Sequence, residues 1–152
     1  MTGWVPPLMA GMIVLGAAYT RCRLIAVTVV GTSMAPTFTG GERVLVRRTG
    51  VHRLRRGDVV VVRWTPPAPS LQGTTGELVL IKRVTAVAGD PVPAEVAEAA
   101  GRPVGSAVPA GAFVLIGDNV ERSVDSRICG LFHAPDLLGI MVRRLGVPGS
   151  RR

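Results

Sequence analysis

Ser33 is a candidate nucleophile because it is a lone serine among small residues. It lies in Gly-Thr-Ser-Met-Ala-Pro-Thr, residues 31–37, between the apolar runs Leu24–Val30 and Val44–Val46. Small residues followed by proline between two such runs are typical of a tight turn that joins two strands. Such a turn would hold the hydroxyl at an exposed edge. Because a serine hydroxyl is a weak nucleophile at its ordinary pKa, it needs a base nearby.

Lys82 is the strongest candidate for that base. It is the only lysine among the eighteen Lys and Arg residues, and it lies in the apolar run Val79–Val84. In a strand, Lys82 and Arg83 would point to opposite faces. Lysine, unlike arginine, loses its proton readily when it is desolvated, so a buried lysine can act as a base near neutral pH. The alternative is a lysine that extends to solvent from a half-exposed strand.

A polar loop at residues 117–127 could support such a pair. Its sequence is Gly-Asp-Asn-Val-Glu-Arg-Ser-Val-Asp-Ser-Arg. Asp125 and Arg127 can form a charge-assisted pair that fixes the loop, and the Ser123 hydroxyl could hold a lysine amine in place. The alternative is a solvated turn with local side chain to backbone hydrogen bonds.

Other chemistries find little support in the sequence. His52 and His133 are the only histidines, and neither has partners at the spacing of metal ligands, so no metal site and no cofactor are predicted. A Ser33–His133–Asp136 triad can be drawn, but nothing local supports it. There is no phosphate-binding glycine loop, and the arginines at 53–56 lack interleaved aromatics, which argues against nucleic acid as a partner.

Composition favours one domain rich in strands and turns. Valine dominates the apolar runs of the 152 residues, and 19 Gly and 12 Pro argue against a helical bundle. The net charge of +8 draws the chain to anionic surfaces, either nucleic acid or lipid headgroups. Cys22 and Cys129 are too few for a disulfide framework, although they could pair with each other.

Residues 4–20 carry no charge and are mostly apolar, with a tryptophan and a tyrosine near their ends. Aromatic residues often occupy membrane interfaces in this way, so residues 1–23 are predicted to be a membrane anchor. A cleaved signal peptide and a buried helix are the alternatives. Arg21 and Arg23 follow the segment, and the positive-inside rule alone would keep the main domain in the cytoplasm.

The rest of the chain reads mainly as strands, which must position the candidate residues. The predicted strands are Leu24–Val30, Arg43–Arg47, Val59–Trp64, Leu78–Val87, Phe113–Ile116 and Leu137–Leu145, the last of which could also be a short helix. Residues 65–76 are predicted to be a loop, and residues 89–111 a short insertion with one helical turn at Glu95–Ala100. Residues 146–152 are expected to form a flexible tail.

Four motifs, taken in their order along the chain, resemble those of the type I signal peptidases, including the mitochondrial inner-membrane branch. They are the serine box Ser33–Thr37, the strand box Gly57–Val61, the lysine box Lys82–Val84 followed by Gly89-Asp90, and the final box Gly117–Asn119 with Ser123–Arg127. Together the four motifs are spread over most of the stretch from residue 24 to residue 145.

The resemblance implies a Ser-Lys peptidase, in which Ser33 attacks the scissile carbonyl and neutral Lys82 takes its proton. It implies that Ser123 orients the lysine amine and that Asp125 and Arg127 brace the site. The oxyanion would be bound by the backbone N–H of Ser33 and a donor near Gly31, either backbone or Thr32. Some family members have a hydroxyl residue at the position of Gly31, and this chain does not.

The substrate implied by the resemblance is an extended peptide that adds to exposed strand edges, with small side chains near the cut. The predicted contact residues are Val29, Val30, Met34, Pro36, Leu80 and Ile81. The expected fold is mainly β, with a signal-peptidase or LexA-like catalytic domain at residues 24–145. Its second β region would be reduced to the insertion at 89–111, and one N-terminal transmembrane helix would precede it.

The expected function is that of a membrane-anchored serine endopeptidase that removes signal or leader peptides from precursor proteins. It could serve general secretion or one dedicated precursor, and the bilayer and a partner subunit are its other expected partners. The catalytic domain is expected outside the cytoplasm, as in family members with one anchor. A LexA-like self-cleaving regulator would need a DNA-binding module, which residues 1–23 cannot supply. A non-catalytic peptide-binding subunit would be expected to lack Ser33 or Lys82.

Overall fold

Seven antiparallel strands form one sheet, which confirms the prediction of a mainly β fold. The computed structural model describes residues 23–65 and 78–147. The strands are β1 Leu24–Thr28, β2 Arg43–Arg47, β3 Val59–Trp64, β4 Leu78–Val87, β5 Ala112–Ile116, β6 Phe132–His133 and β7 Leu137–Gly146. The helices are α1 Ala94–Ala100 and α2 Ser126–Cys129, with 3-10 turns at Val51–Arg53, Val120–Arg122 and Ala134–Asp136.

The strand order is β1-β2-β7-β3-β4-β5-β6, so the last strand of the chain lies in the middle of the sheet. The valines at positions 59–62 form a continuous run because both faces of β3 are buried, so that successive side chains on opposite faces are all apolar. Val59 and Val61 pack in one core cluster with Met34 and Phe38. Val60 and Val62 face a second cluster around β5 and β6.

The strand boundaries differ from the predicted ones at several points. β1 ends at Thr28 instead of Val30, although Val29 still exchanges backbone hydrogen bonds with Gly41 and Glu42, and the turn at Gly31 follows with a φ of +81°. β5 begins one residue earlier, at Ala112. β7 is a strand and not a helix, and it extends to Gly146, so the first residue of the predicted tail belongs to the sheet.

The insertion at residues 89–111 contains α1 and one isolated bridge between Pro91 and Ala107. α1 has seven residues, which is longer than the single turn predicted. Its buried Val96 packs in a third core cluster with Val92, Val108 and Val114. The insertion therefore has its own apolar core against β5.

Within residues 23–65 and 78–147, no helix is long and apolar enough to cross a membrane. The predicted anchor lies outside the described residues except for Arg23, and so do Cys22, most of the predicted loop at 65–76 and the predicted tail beyond residue 147.

Candidate active site

The side chains of Ser33 and Lys82 meet between the turn after β1 and the middle of β4. The Nζ atom of Lys82 donates a hydrogen bond to Oγ of Ser33 over 2.7 Å. Lys82 is only 2% exposed, and it lies opposite Val60 of β3 in the sheet. This burial lowers the pKa of Lys82 from 10.5 to about 8, although the nearby Asp125 carboxylate opposes the change.

Arg83, the next residue of β4, makes contacts away from this pair. Its Nε and Nη2 atoms donate to the two carboxylate oxygens of Asp118 over 2.8 and 2.6 Å, and its Nη1 atom donates to the carbonyl of Gly57 over 2.9 Å. The paired guanidinium is the main reason that the pKa of Asp118 is lowered. Arg83 thereby joins the lysine box to the strand box and to the final box.

Asn119 holds the turn that carries the serine. Its backbone N–H donates to the carbonyl of Ser33 over 3.0 Å, and its side-chain amide donates to the carbonyl of Thr32 over 3.1 Å. Gly117, two residues earlier, leaves no room for a side chain. A Cβ atom there would lie 2.1 Å from Oγ of Ser123 and 2.6 Å from the carbonyl oxygen of Ser33.

Asp125 is the buried centre of the polar loop. Its carboxylate accepts hydrogen bonds from the Gly117 N–H over 2.9 Å and from Nε and Nη2 of Arg127, each over 2.9 Å. Burial alone would raise the pKa of Asp125, but Arg127 and the Gly117 N–H outweigh it and keep the pKa lowered. Arg127 also donates to the carbonyl of Val120 over 2.7 Å, so the loop is fixed from both sides.

Ser123 is buried beside Gly117, and its side chain helps to lower the pKa of the Asp125 carboxyl, whereas no hydrogen bond joins it to Lys82 within the described residues. The orienting role that the resemblance implies for Ser123 stays a prediction.

The backbone at the serine turn offers a donor for an oxyanion. The N–H of Ser33 has no hydrogen-bond acceptor within the described ranges. Gly31 has a φ of +81°, a conformation that side chains other than glycine rarely adopt. Glycine at position 31 thus allows the backbone to adopt this turn. The neighbouring residue Thr32 is exposed.

A cleft of about 470 Å³ lies next to the serine and lysine side chains. Its walls are residues 26–28 and Val30 on one side and residues 79–82 on the other, with Val61 and Leu138 completing the lining. Three of the predicted contact residues, Val30, Leu80 and Ile81, line this cleft. The other three do not: Val29 and Met34 are buried in the core cluster below the turn, and Pro36 is exposed outside the lining.

Both walls present strand edges that are unpaired within the described residues. β1 pairs with β2 alone, and residues 78–82 of β4 pair with β3 alone, because the β4–β5 ladder begins at Arg83. Such edges can accept an extended peptide as an added strand.

Neither His133 nor Asp136 supports the triad drawn from the sequence. They cap the 3-10 turn at 134–136, where the Asp136 carboxylate accepts from the backbone N–H of His133 over 2.7 Å. No cluster of His, Cys, Asp and Glu that could hold a metal ion occurs within residues 23–65 and 78–147. Cys129 is a free thiol, and burial raises its pKa to about 12.

Arg144 of β7 is a residue near the site that sequence reasoning missed. Its guanidinium donates to the carbonyl of Thr37 and lies 4.5 Å from the ring centre of Phe38. It also forms an ion pair with Glu42 over 3.1 Å, and Glu42 accepts from the N–H and hydroxyl of Thr39. Arg144 therefore fixes the end of the serine turn that Asn119 does not hold. The one feature of the sequence that could have singled out Arg144 is its position as a charged residue in a largely apolar strand.

Replacing Arg144 with Gln is expected to lower kcat about tenfold with little change in KM, because a loosened turn misplaces the Ser33 hydroxyl. Steady-state kinetics on a precursor peptide would measure this. Arg144→Lys should recover part of the loss, and Arg143→Gln, at the exposed neighbouring residue, serves as the matched control. A wild-type kcat in Arg144→Gln would show that the turn needs no such support.

The fold and site define a β-sheet protein in which a serine hydroxyl is hydrogen-bonded to a buried lysine. The comparison with protein families agrees with this description. The model of the family described as signal peptidase, peptidase S26, matches residues 1–99 and 94–145. The chain therefore belongs to the signal peptidase family S26. No curated protein gave a significant match.

Proposed function

We propose that this chain is a serine endopeptidase that removes signal or leader peptides from precursor proteins, with Ser33 as nucleophile and Lys82 as general base. The observation that carries the proposal is the 2.7 Å hydrogen bond between the two side chains. The burial of Lys82 supports it further, because a pKa of about 8 leaves a substantial neutral fraction near physiological pH.

The first half of the reaction forms an acyl-enzyme. The neutral amine of Lys82 takes the proton of the Ser33 hydroxyl while Oγ bonds to the scissile carbonyl carbon, giving a tetrahedral oxyanion. The backbone N–H of Ser33 would donate a hydrogen bond to that oxyanion. The oxyanion then re-forms the carbonyl, the C–N bond breaks, and the Lys82 ammonium returns the proton to the leaving amine.

The second half hydrolyses the ester. Lys82, neutral again, takes a proton from a water molecule that attacks the same carbonyl carbon. The C–O bond to Ser33 breaks, Oγ regains the proton from Lys82, and the cleaved peptide leaves as a carboxylic acid that releases its own proton to water. The buried Asp125 carboxylate acts through the loop that it fixes, and touches no reacting atom in this scheme.

The cleft determines which peptides reach Ser33. An extended segment would pair with the edge of β1, of residues 78–82, or of both. Ala26 and Thr28 contribute small side chains to the lining, and Lys82 is the only charged residue among the described residues that line it. We infer that the segment near the cut is uncharged and carries small side chains. The small size of the domain favours the processing of one dedicated precursor over general secretion. A partner subunit could then contribute to the choice of substrate.

The apolar segment at residues 4–20 suits a single membrane anchor, which would hold the cleft close to a precursor still in the bilayer. We place the catalytic domain outside the cytoplasm, where signal and leader peptides are released. Digestion of sealed vesicles with an added protease tests the orientation. Protection of the domain in inside-out vesicles, with digestion in right-side-out ones, is the expected result.

The cleavage test uses the full chain and a precursor in vesicles, with the new N-terminus identified by mass spectrometry. We expect one cut at the end of the signal or leader segment. Because protonated Lys82 cannot accept a proton, log(kcat/KM) should rise with pH up to about 8 and then level off. The Ser33→Ala variant, which lacks the proposed nucleophile, is the negative control for cleavage. Activity that persists in Ser33→Ala would refute the assignment of the nucleophile.

A further inference from the structure

Five exposed arginines at the end of β2 and in the turn after it form a cationic patch. These residues, which we call the arginine patch, are Arg47, Arg48, Arg53, Arg55 and Arg56. Within the described ranges none of the five has an ion pair, whereas Arg83, Arg127 and Arg144 are each paired with a carboxylate. Repulsion among neighbouring guanidinium groups is relieved when an anionic partner binds.

Three arginines of the patch border a concave site of about 410 Å³, and Arg48 and Arg56 lie outside its lining. Arg47, Arg53 and Arg55 line it, together with His52 and the carboxylate of Asp58. That carboxylate accepts a hydrogen bond from the N–H of Arg55 over 2.9 Å, so it is engaged with the backbone of the turn. A guanidinium group can donate two parallel hydrogen bonds to two oxygens of one phosphate. Several guanidinium groups around one cavity therefore suit a phosphate ligand better than a carboxylate ligand.

The turn that carries the patch is anchored to the sheet. The N–H of Gly57 donates to the carbonyl of Val84 over 2.8 Å, and the N–H of Val84 donates to the carbonyl of Asp58 over 2.8 Å. Leu54 is buried between the exposed arginines. The arginines are therefore presented from a fixed backbone, which lowers the entropy lost when they bind a ligand.

The location of the patch points to the partner. Arg47 pairs with Leu24 at the start of β1, and the N–H of Arg48 donates to the carbonyl of Arg23 over 2.7 Å. The patch thus lies where the uncharged segment at residues 4–20 joins the domain. If that segment is in the bilayer, as proposed above, this end of the domain lies at the headgroups.

We propose that the arginine patch binds the phosphates of anionic phospholipid headgroups and so orients the catalytic domain on the membrane surface. The proposal rests on the membrane anchoring given under the proposed function. Each arginine held at an anionic surface contributes roughly a fivefold gain in affinity, so a patch of five selects strongly for anionic lipid.

Arginine footprinting with phenylglyoxal tests the proposal on the full chain. The chain is mixed with vesicles of phosphatidylcholine, or of phosphatidylcholine with phosphatidylglycerol, and modification is mapped by mass spectrometry. Phosphatidylglycerol should slow modification of Arg53 and Arg55 by at least about fivefold, and high salt should reverse the effect. The exposed Arg102 and Arg122, outside the patch, should react equally in both vesicles. Equal modification of Arg53 and Arg55 in the two vesicles would overturn the proposal.

Two variants sharpen the test. Arg53→Gln combined with Arg55→Gln should remove the phosphatidylglycerol-dependent protection of Arg47, whereas Arg102→Gln combined with Arg122→Gln, with the same charge loss, should not. Protection lost equally in both pairs would mean that net charge and not the patch is responsible. Protection by inorganic phosphate with phosphatidylcholine alone would assign the site to a free phosphate.

Flotation of the same mixtures separates this proposal from the anchor. A chain that floats with phosphatidylcholine but shows no protection by phosphatidylglycerol has an anchor and no headgroup site. A chain that does not float with phosphatidylcholine, yet is protected by phosphatidylglycerol, has the headgroup site and no anchor.

Discussion

Replacing Lys82 with methionine is expected to lower kcat/KM for precursor cleavage by about a thousandfold, the usual value of a general base. Methionine fills a similar volume in the apolar strand β4 and has no amine to accept the Ser33 proton. The folded protein should remain at least as stable as the wild type, because an amine that is 2% exposed is desolvated and the substitution removes that cost. Kinetics and thermal unfolding of the same preparation measure the two effects.

The Ser33→Ala variant provides the matched comparison. If Ser33 and Lys82 act as one unit, each single variant should lose about as much activity as the double variant, because the second substitution removes nothing that still functions. Full activity in Lys82→Met would contradict the proposed mechanism, and additive losses would mean that the two side chains act separately.

Replacing Gly117 with alanine is expected to destabilise the fold by about 3 kcal/mol and to lower kcat on the order of a hundredfold. The added Cβ would lie 2.6 Å from the carbonyl oxygen of Ser33, which is backbone and cannot rotate away. The serine turn must therefore shift, and Oγ of Ser33 shifts with it. Denaturant unfolding and kcat of the folded fraction measure these changes.

Gly139→Ala separates the local effect from general destabilisation. A Cβ at Gly139 would lie 2.4 Å from the carbonyl oxygen of Arg47, which is a comparable clash with backbone. We expect a similar loss of stability and a kcat close to that of the wild type. If both variants lose kcat equally, the loss at Gly117 reflects the weakened fold and not the displaced turn.

Much of the strand content could be predicted from local pattern. Valine-rich runs bounded by glycine and proline predicted β2, β3 and β4, because each is buried on at least one face and ends at a turn. The order of the strands could not be predicted. β7 lies between β2 and β3 and brings Gly139 against the backbone of Arg47, and local sequence does not reveal a contact between residues so far apart in the chain.

The candidate site was predictable where a residue type carries its own chemistry. A single lysine in an apolar strand is unusual, so Lys82 could be singled out before its contacts were known. Arg144 could not, because its role depends on Thr37 and Phe38, more than a hundred residues away in the chain. Val29 and Met34 were expected at the substrate but are buried, since both pack in the core cluster with Phe38 and Val61.

The most direct test of the account is the titration of Lys82 itself. Because Lys82 is the only lysine, lysine labelled with ¹³C at Cε gives one side-chain signal, which NMR can follow against pH in the full chain. We expect a midpoint at about 8 in the folded protein, below the ordinary lysine value of 10.5. A midpoint close to that ordinary value would leave Lys82 protonated at physiological pH and would contradict its role as the base for Ser33.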